Sequence, residues 1–310
     1  MVRPCKVGIF LPIVEGQMDG ATPRWSDVAT MARRAEEVGF DSVWIPDHLL
    51  FRFNEVTEGT YECMSILAGL AAVTQRVEIG TLVICTGFRS PALLATMANT
   101  IDEMSGGRLI LGIGAGYHEP EYRAFGIPYD HRASRFEEAL TIIATLLREG
   151  KIDFEGQFYS ARENELRVRG PRPNGPPIMV GTAGERMLRL TAQHADLWNM
   201  WRVFGRSRAD EVPPMRAKVD AACAEVGRDP ATLPRTASVL VDFINRPDNP
   251  PVRNRPHADP EPITGSPEEI AAQLRAFVDE GIAHIQVQTW PRSLAGIEQF
   301  VPVLEAFDRA

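Results

Sequence analysis

Residues 28–48 read VATMARRAEEVGFDSVWIPDH, and this stretch decides the fold. Its first part repeats apolar residues every three or four positions, which is the spacing of one buried face of a helix. Gly39 ends that helix, because a glycine readily adopts the left-handed backbone that commonly closes a helix. The apolar residues that follow, up to Ile45, form a short run typical of a buried strand. The stretch therefore predicts a helix that leads directly into a strand.

The same unit recurs near the end of the chain. Residues 266–269, Ser-Pro-Glu-Glu, form a capping box with proline at the first helical position. Gly281 ends that helix, and further helices and strands alternate between the two copies. Strands are expected at 6–11, 41–45, 77–84, 109–113, 177–180, 197–199, 237–243 and 284–288. We therefore predict an α/β fold, a (β/α)8 TIM barrel that occupies residues 1–310 as a single domain.

Two segments do not fit the repeating unit. Residues 151–170 contain short apolar runs and are expected to form a hairpin inserted before the fifth barrel strand. Residues 245–262 are rich in Pro, Asn, Asp and Arg, a composition typical of a loop. Because that loop follows the seventh strand, it would lie over the end of the barrel where active sites are built, and long loops there are often lids. We predict an active-site lid, with a solvated surface loop as the alternative.

Composition and charge narrow the class of protein. The chain has 310 residues, of which 44% are hydrophobic and 24% charged, enough for a large core. Its net charge of −8 argues against a nucleic-acid or anionic-membrane partner. No apolar stretch is long enough to span a bilayer, and the first residues lead into a strand rather than a signal peptide. Four scattered cysteines, without a Cys-x-x-Cys pair, predict reduced thiols and a cytoplasmic location.

Asp47 and His48 stand directly after the predicted second strand. In a barrel of this type, catalytic residues come from the carboxyl ends of the strands. An imidazole at such a place can accept or donate a proton near neutral pH. The alternative is a structural role, in which Asp47 caps a turn and His48 packs against it. We interpret His48 as the candidate acid and base.

Two glycine-rich turns follow neighbouring strands. Residues 112–116, Gly-Ile-Gly-Ala-Gly, follow the fourth strand, and residues 181–184, Gly-Thr-Ala-Gly, follow the fifth and lead into a helix. Glycine lets an anion approach the backbone N–H groups closely, and the start of a helix favours negative charge. We expect the two turns to clamp one phosphate group; the alternative is a pair of tight turns without a ligand. The first turn is not a dinucleotide-binding fingerprint, because Tyr117 stands where its third glycine would be.

The sequence shows neither a metal site nor a protein nucleophile. The six histidines lack any ligand spacing, and His118 with Glu119 and Glu121 is interpreted as part of a polar loop. Neither a nucleophile elbow nor a P-loop occurs. A barrel with a phosphate clamp, one histidine for proton transfer and no nucleophile indicates an organic cofactor that carries the chemistry.

In their order and spacing these features resemble the bacterial luciferase-like monooxygenase family. That superfamily includes flavin monooxygenases and enzymes that use the deazaflavin coenzyme F420. The resemblance extends from about Val7 to Phe307. It rests on the stretches 7–12, 35–44, 47–48, 105–108, 112–116 and 181–184, and on the late helix at 266–281. It implies a barrel that binds a reduced flavin or deazaflavin at the carboxyl ends of its strands.

The resemblance also assigns site residues. The cofactor-binding residues that it implies are Leu82, Val83, Gly114, Ala115, Gly116, Tyr117, Gly181, Thr182, Ala183 and Gly184. At the position of Leu82 and Val83 the family has a cis peptide bond without proline, behind the ring of its cofactor. The resemblance implies that His48 transfers protons beside that ring, and that Asp47 orients His48 or contacts the ring.

Two cofactors stay open, coenzyme F420 and FMN. The spacing of Trp44, Asp47 and His48, and the aromatic Tyr117 after the first glycine turn, favour F420 by resemblance. We expect an oxidoreductase that reduces a small organic substrate, or that mono-oxygenates it with O2 if the cofactor is reduced FMN. A homodimer is implied by resemblance alone. The alternatives are a non-catalytic flavin-binding barrel protein, against which His48 argues, and a cofactor-free barrel that acts on sugar phosphates.

Overall fold

The computed structural model describes residues 3–53, 56–200, 207–243 and 261–309. The strands in these residues are β1 (Lys6–Phe10), β2 (Ser42–Ile45), β3 (Leu50–Phe53), β4 (Val56–Gly59), β5 (Glu78–Thr81), β6 (Ile84–Cys85), β7 (Leu109–Gly114), β8 (Lys151–Glu155), β9 (Ser160–Glu165), β10 (Ile178–Gly181), β11 (Leu197–Met200), β12 (Arg235–Asp242) and β13 (Ile282–Trp290). The α-helices are α1 (Trp25–Glu37), α2 (Cys63–Val73), α3 (Pro91–Met104), α4 (Glu119–Ala124), α5 (Arg132–Glu149), α6 (Glu185–His194), α7 (Val212–Glu225), α8 (Pro267–Asp279) and α9 (Leu294–Asp308).

Eight strands close a parallel barrel. Their order around the ring is β1, β2, β5, β7, β10, β11, β12 and β13, and β13 pairs again with β1. We call them barrel strands one to eight in this order. Helices stand between successive barrel strands, and the main hydrophobic core lies between strands and helices. The predicted TIM barrel is confirmed. Among the described residues, no helix is both long and apolar enough to cross a bilayer.

The third barrel strand is interrupted. The sequence predicted one strand over 77–84, but β5 ends at Thr81 and the pairing with β7 resumes only in β6. The bond between Leu82 and Val83 is cis, at the position that the family resemblance implied.

Two antiparallel hairpins lie outside the barrel. β8 and β9 pair within the predicted insert at 151–170. β3 and β4 pair shortly after His48, and this hairpin was not predicted because charged and polar residues break the apolar alternation of its short strands. The predicted lid at 245–262 falls almost entirely on residues 244–260, which lie outside the described residues.

A tryptophan closes the interior of the barrel. Trp44 on β2 is fully buried, and its Nε1 donates a 2.7 Å hydrogen bond to Oγ of Ser42. Two glycines make room for its ring, since a Cβ on Gly8 would lie 2.4 Å from Nε1 and one on Gly80 would lie 2.3 Å from Cζ3. Because this floor is filled, a ligand must bind above it, at the carboxyl ends of the strands.

Candidate active site

A cavity of about 360 Å3 opens at the carboxyl ends of the barrel strands. The predicted site residues that line it are Asp47, His48, Leu82, Val83, Gly114, Ala115, Gly116, Tyr117, Gly181 and Thr182. Ala183 and Gly184 do not line it and are exposed beside it. The barrel therefore brings ten of the twelve predicted residues to one cavity.

His48 is held by a buried glutamate. Its Nδ1 lies 2.7 Å from Oε1 of Glu121, and Oε2 of the same carboxylate accepts a 2.7 Å hydrogen bond from the backbone N–H of Leu49. The Glu121 side chain is fully buried. An ionised carboxylate only accepts, so we assign the Nδ1 proton to His48, which leaves Nε2 as the ring atom that can exchange a proton. Among the described residues Nε2 has no hydrogen-bond partner.

Sequence reasoning missed Glu121. The polar loop expected at 118–121 is in fact the start of α4, which begins at Glu119. Glu121 lies in the first turn of that helix and lines the cavity. A charged side chain in a short polar stretch gives no signal that it is buried, and 73 residues separate it from His48.

Asp47 does not orient His48, so that part of the prediction was wrong. Its carboxylate forms a bidentate ion pair with Arg89, with Nη1–Oδ2 at 2.7 Å and Nη2–Oδ1 at 2.9 Å. Oδ2 also accepts a 3.0 Å hydrogen bond from the backbone N–H of Cys85. Burial lowers the pKa of Arg89, but hydrogen bonds to Asp47 and Glu62 and the charge of Asp47 outweigh this effect and raise the pKa. Asp47 thus ties the end of β2 to the end of the third barrel strand.

Aromatic residues enclose His48. The ring centroids of His48 and Phe51 lie 3.9 Å apart, and those of His48 and Tyr117 lie 5.8 Å apart with the two rings nearly perpendicular. Nε2 of His118 accepts a 3.0 Å hydrogen bond from the backbone N–H of Arg52, which fastens the β3–β4 hairpin to the segment before α4. The hairpin therefore covers one side of the imidazole and shields it from water.

The first glycine turn is fixed from both sides. The Tyr122 hydroxyl donates a 2.9 Å hydrogen bond to the carbonyl of Ala115, and Nη1 of Arg132 donates a 2.7 Å bond to the carbonyl of Gly116. The sulfur of Cys85 lies 2.9 Å from the Tyr122 hydroxyl. Burial raises the pKa of the Cys85 thiol to about 12 and raises that of Tyr122 as well, so both stay protonated and keep these bonds.

Gly116 has no room for a side chain. Its φ is +71°, and a Cβ there would lie 2.2 Å from the Tyr122 oxygen and 2.4 Å from the Cys85 sulfur. Only glycine fits this combination of backbone angle and close approach. The turn thus presents backbone rather than side chains to the cavity.

The second glycine turn lies beside the first. A Cβ on Gly114 would sit 3.7 Å from the carbonyl oxygen of Gly181, so adjacent strands bring the turns together. α6 begins at Glu185, immediately after the second turn, and Nε1 of Trp198 donates a 2.8 Å hydrogen bond to the Thr182 carbonyl. The second turn therefore leads from the cavity, which Gly181 and Thr182 line, to the start of α6 beside it, a place that favours an anion.

Within the part of the chain that the structure describes, no three His, Cys, Asp or Glu side chains are grouped so as to hold a metal ion. Near the glycine turns the polar groups are instead His48 with its carboxylate, backbone N–H groups and the guanidinium of Arg132, which contacts the first turn but does not line the cavity. Arg132, beside the first turn, forms no ion pair among the described residues. This set suits an organic ligand with an anionic group.

Comparison with known proteins agrees with the resemblance. The model of the luciferase-like monooxygenase family matches residues 5–247. A 5,10-methylenetetrahydromethanopterin reductase of Archaeoglobus fulgidus is 30% identical over 221 residues, which cover 71% of this chain and 61% of the reductase. The pyrimidine monooxygenase RutA of Enterobacter sp. is 32% identical over 239 residues, which cover 72% of this chain and 64% of the relative. The chain thus spans less than two thirds of the length of either relative.

A solved structure shares the whole architecture. An F420-dependent secondary alcohol dehydrogenase in complex with an F420–acetone adduct superimposes with a TM-score of 0.79 at 20% identity, over 98% of this chain and 99% of the dehydrogenase. At that identity the likeness supports the fold alone. The family match covers most of the chain, from the first barrel strand past the seventh. This chain therefore belongs to the luciferase-like monooxygenase family.

Proposed function

We propose that the protein is an oxidoreductase that binds reduced coenzyme F420 or reduced FMN and acts on a small organic substrate. The observation that carries this proposal is the pairing of His48 with the buried Glu121, in the cavity that both glycine turns line. A group that can act as acid and base, close to glycine turns that can bind an anion, in a mostly apolar cavity suits a redox enzyme with an organic cofactor.

The residues present fit such a cofactor. Gly114 and Gly116 leave the backbone of the first turn bare where a Cβ would collide with its surroundings. The phosphate would be held by N–H groups of residues 114–116 and 181–184, by the start of α6 and by the charge of Arg132. The ring would lie along Leu82 and Val83 beside His48.

The cofactor, when bound, would supply the reducing equivalents, as hydride in the case of F420 and with O2 as co-substrate in the case of FMN. His48 would donate or accept a proton at Nε2. Glu121 would hold the proton on Nδ1 and stabilise the imidazolium that forms when Nε2 is protonated, much as a buried carboxylate does for other catalytic histidines. The β3–β4 hairpin and the aromatic rings around His48 would exclude water from that proton.

The choice of cofactor rests on resemblance. Asp47 and His48 after the second strand and Tyr117 after the first glycine turn favour F420 over FMN. We also propose that the protein is a homodimer, which rests on the resemblance alone. We propose a cytoplasmic location as well, which is supported by four buried cysteines that are not in disulfides. Light scattering on the purified protein tests the dimer.

Titration with each reduced cofactor under nitrogen tests the proposal. We expect saturable binding of reduced F420 or reduced FMN, followed by cofactor oxidation when a suitable substrate, or O2 for FMN, is added. His48→Ala should bind the cofactor but oxidise it at least a hundredfold more slowly. Binding of neither cofactor would overturn the proposal. Tight binding without turnover of any candidate substrate would favour a non-catalytic flavin-binding protein.

A further inference from the structure

The wall of the cavity opposite the cis peptide bond is polar. In a ring of eight strands the third faces the seventh and the fourth faces the eighth, so β12 and β13 stand across from Val83 and the first glycine turn. Ser238 on β12 and Gln288 on β13 line the cavity from this side. Neither residue has a part in the proton transfer or the phosphate binding described above.

Strand register places both side chains inside the barrel. Ser238 pairs with Gln286, and Leu240 pairs with Gln288. Gln286 points inward, because its Oε1 accepts a 3.0 Å hydrogen bond from Nδ2 of Asn199 on β11, which is separated from β13 by β12. Side chains alternate along a strand, so Gln288, two residues further on, points to the same side and nearer the mouth.

Ser238 is buried without a partner. The residue is 8% exposed, and its Oγ has no hydrogen-bond partner among the described residues. A buried hydroxyl without a partner costs free energy, and such groups in folded proteins usually pair with a ligand or water. Since Ser238 lines the cavity, a bound ligand can supply that partner.

The orientation of the Gln288 amide follows from its neighbour. Nη2 of Arg292 lies 3.3 Å from Oε1 of Gln288, and a guanidinium can only donate hydrogen bonds. The oxygen of the amide is therefore turned towards Arg292, and Nε2 is the end left for the cavity. Nε2 of Gln288 has no hydrogen bond to any described residue. The wall thus offers an amide N–H2 donor and a hydroxyl that can also donate.

We propose that Ser238 and Gln288 form the subsite that recognises the substrate, and that the substrate carries a carbonyl or carboxylate oxygen on an apolar body. Donors on the protein call for acceptors on the ligand, and Phe10, Leu240 and Met187 make the neighbouring lining apolar. The position of this subsite relative to a bound cofactor rests on the proposed function. The inference that the hydrogen-bond donors of Ser238 and Gln288 call for an acceptor on the substrate does not depend on the proposed function.

Three benzene derivatives of similar size test the chemistry. Benzamide carries a neutral carbonyl, benzoate a carboxylate, and benzylamine a cation that can only donate. Their affinities are to be measured by calorimetry on the full chain, both alone and saturated with whichever cofactor binds. We expect benzamide or benzoate to bind at least tenfold more tightly than benzylamine, and the better of the two identifies the acceptor.

Paired variants locate the subsite. Ser238→Ala/Gln288→Leu should lose at least tenfold in affinity for the preferred probe, about the worth of one to two hydrogen bonds. Ser26→Ala/Gln299→Leu makes the same chemical changes at exposed positions and should stay within twofold. If the double variant unfolds early, Ser238→Ala alone, which removes one oxygen, should still lose at least threefold.

Equal affinities of the two double variants for the preferred probe would overturn the proposal. It would also be overturned if benzylamine bound as tightly as benzamide, or if neither benzamide nor benzoate bound. A protein that binds no cofactor yet discriminates the probes through Ser238 and Gln288 would keep this subsite and refute the proposed function instead. A loss of cofactor affinity in Ser238→Ala/Gln288→Leu without loss of probe affinity would assign the wall to the cofactor and overturn the substrate subsite.

Discussion

Nδ1 of His48 lies 2.7 Å from Oε1 of Glu121, and this carboxylate comes from the fourth strand-to-helix segment rather than from the residue next to the histidine. The pair joins the segment after barrel strand two to the segment after barrel strand four. It gives the imidazole a fixed orientation and a defined proton, because the buried carboxylate can only accept.

Glu121→Gln tests the charge of this pair. The amide keeps the size of the side chain but cannot stabilise an imidazolium, so we expect cofactor oxidation to slow about a hundredfold or more, with cofactor affinity within about threefold. Single-turnover oxidation measures the rate, and titration measures the affinity. Glu119→Gln, an exposed change in the same helix, is the control. Equal rates in the two variants would show that His48 works without the carboxylate.

Gly116→Ala tests the close approach at the first glycine turn. Gly116 and Gly126 have nearly equal φ angles, +71° and +68°, but a Cβ on Gly126 would meet no atom within 4 Å. Gly126→Ala should therefore lower the free energy of unfolding by roughly 1 kcal/mol, which is the cost of placing a side chain on a residue with positive φ. Gly116→Ala should cost roughly 1–3 kcal/mol more and weaken cofactor binding at least tenfold, because the turn must move away from Tyr122 and Cys85.

Urea unfolding and cofactor titration of both alanine variants measure these effects. Adding Tyr122→Phe to Gly116→Ala removes the nearer of the two clashing atoms and should restore part of the stability. If Gly116→Ala and Gly126→Ala behave alike, the clash is relieved elsewhere and the turn is not rigid.

Arg89→Met tests the buried ion pair under Asp47. The Asp47 side chain is completely buried and that of Arg89 is 9% exposed, so loss of the guanidinium leaves a buried carboxylate without its partner. We expect the free energy of unfolding to fall by about 3–5 kcal/mol. Asp47→Asn/Arg89→Met, which removes both charges, should recover part of that loss.

Chemical unfolding of these variants is the measurement, with Arg34→Met as the control. Arg34 makes a similar bidentate contact with Glu298, but both side chains are well exposed to solvent, so its loss should have a much smaller effect. If Arg89→Met lowers the free energy of unfolding no more than Arg34→Met does, the buried ion pair of Asp47 and Arg89 does not stabilise the fold as proposed.

His284 makes the stability depend on pH. Its Nε2 lies 2.7 Å from Oγ of Ser42, and burial, aided by the charge of Lys6, lowers the pKa of His284 from 6.5 to about 3. Ser42 already accepts a bond from Trp44, so its hydroxyl donates to His284, and a protonated imidazole could not accept that bond. Between pH 6.5 and about 3 the unfolded chain takes up a proton that the folded protein does not. Stability should therefore fall as pH decreases, by about 1.4 kcal/mol per pH unit in this window, and this contribution should be constant above it.

The difference between wild type and His284→Gln isolates this effect, since other groups titrate in both proteins. Urea unfolding at neutral and at mildly acidic pH should give a shallower pH dependence for His284→Gln. His131→Asn, at an exposed histidine, should follow the wild-type slope. Parallel slopes for His284→Gln and wild type would mean that His284 is not responsible.

Local patterns were enough to predict the barrel. The stretch 28–48 contains a helix face, a glycine stop and an apolar strand within about twenty residues, and each signal depends only on near neighbours along the chain. The glycine turns at 112–116 and 181–184 were found for the same reason. The β3–β4 hairpin and the start of α4 were missed, because short polar elements are stabilised by what they pack against and not by their own sequence.

The sequence by itself determined the order of helices and strands, hence the TIM barrel, and placed His48 and the two glycine turns at the carboxyl ends of strands. Only the tertiary structure decided that Glu121 pairs with His48 and Arg89 with Asp47, and that Ser238 and Gln288 line the opposite side of the cavity. The physical reason is that backbone periodicity is written in adjacent residues, whereas a buried polar group pairs with whatever the closed barrel brings within about 3 Å of it.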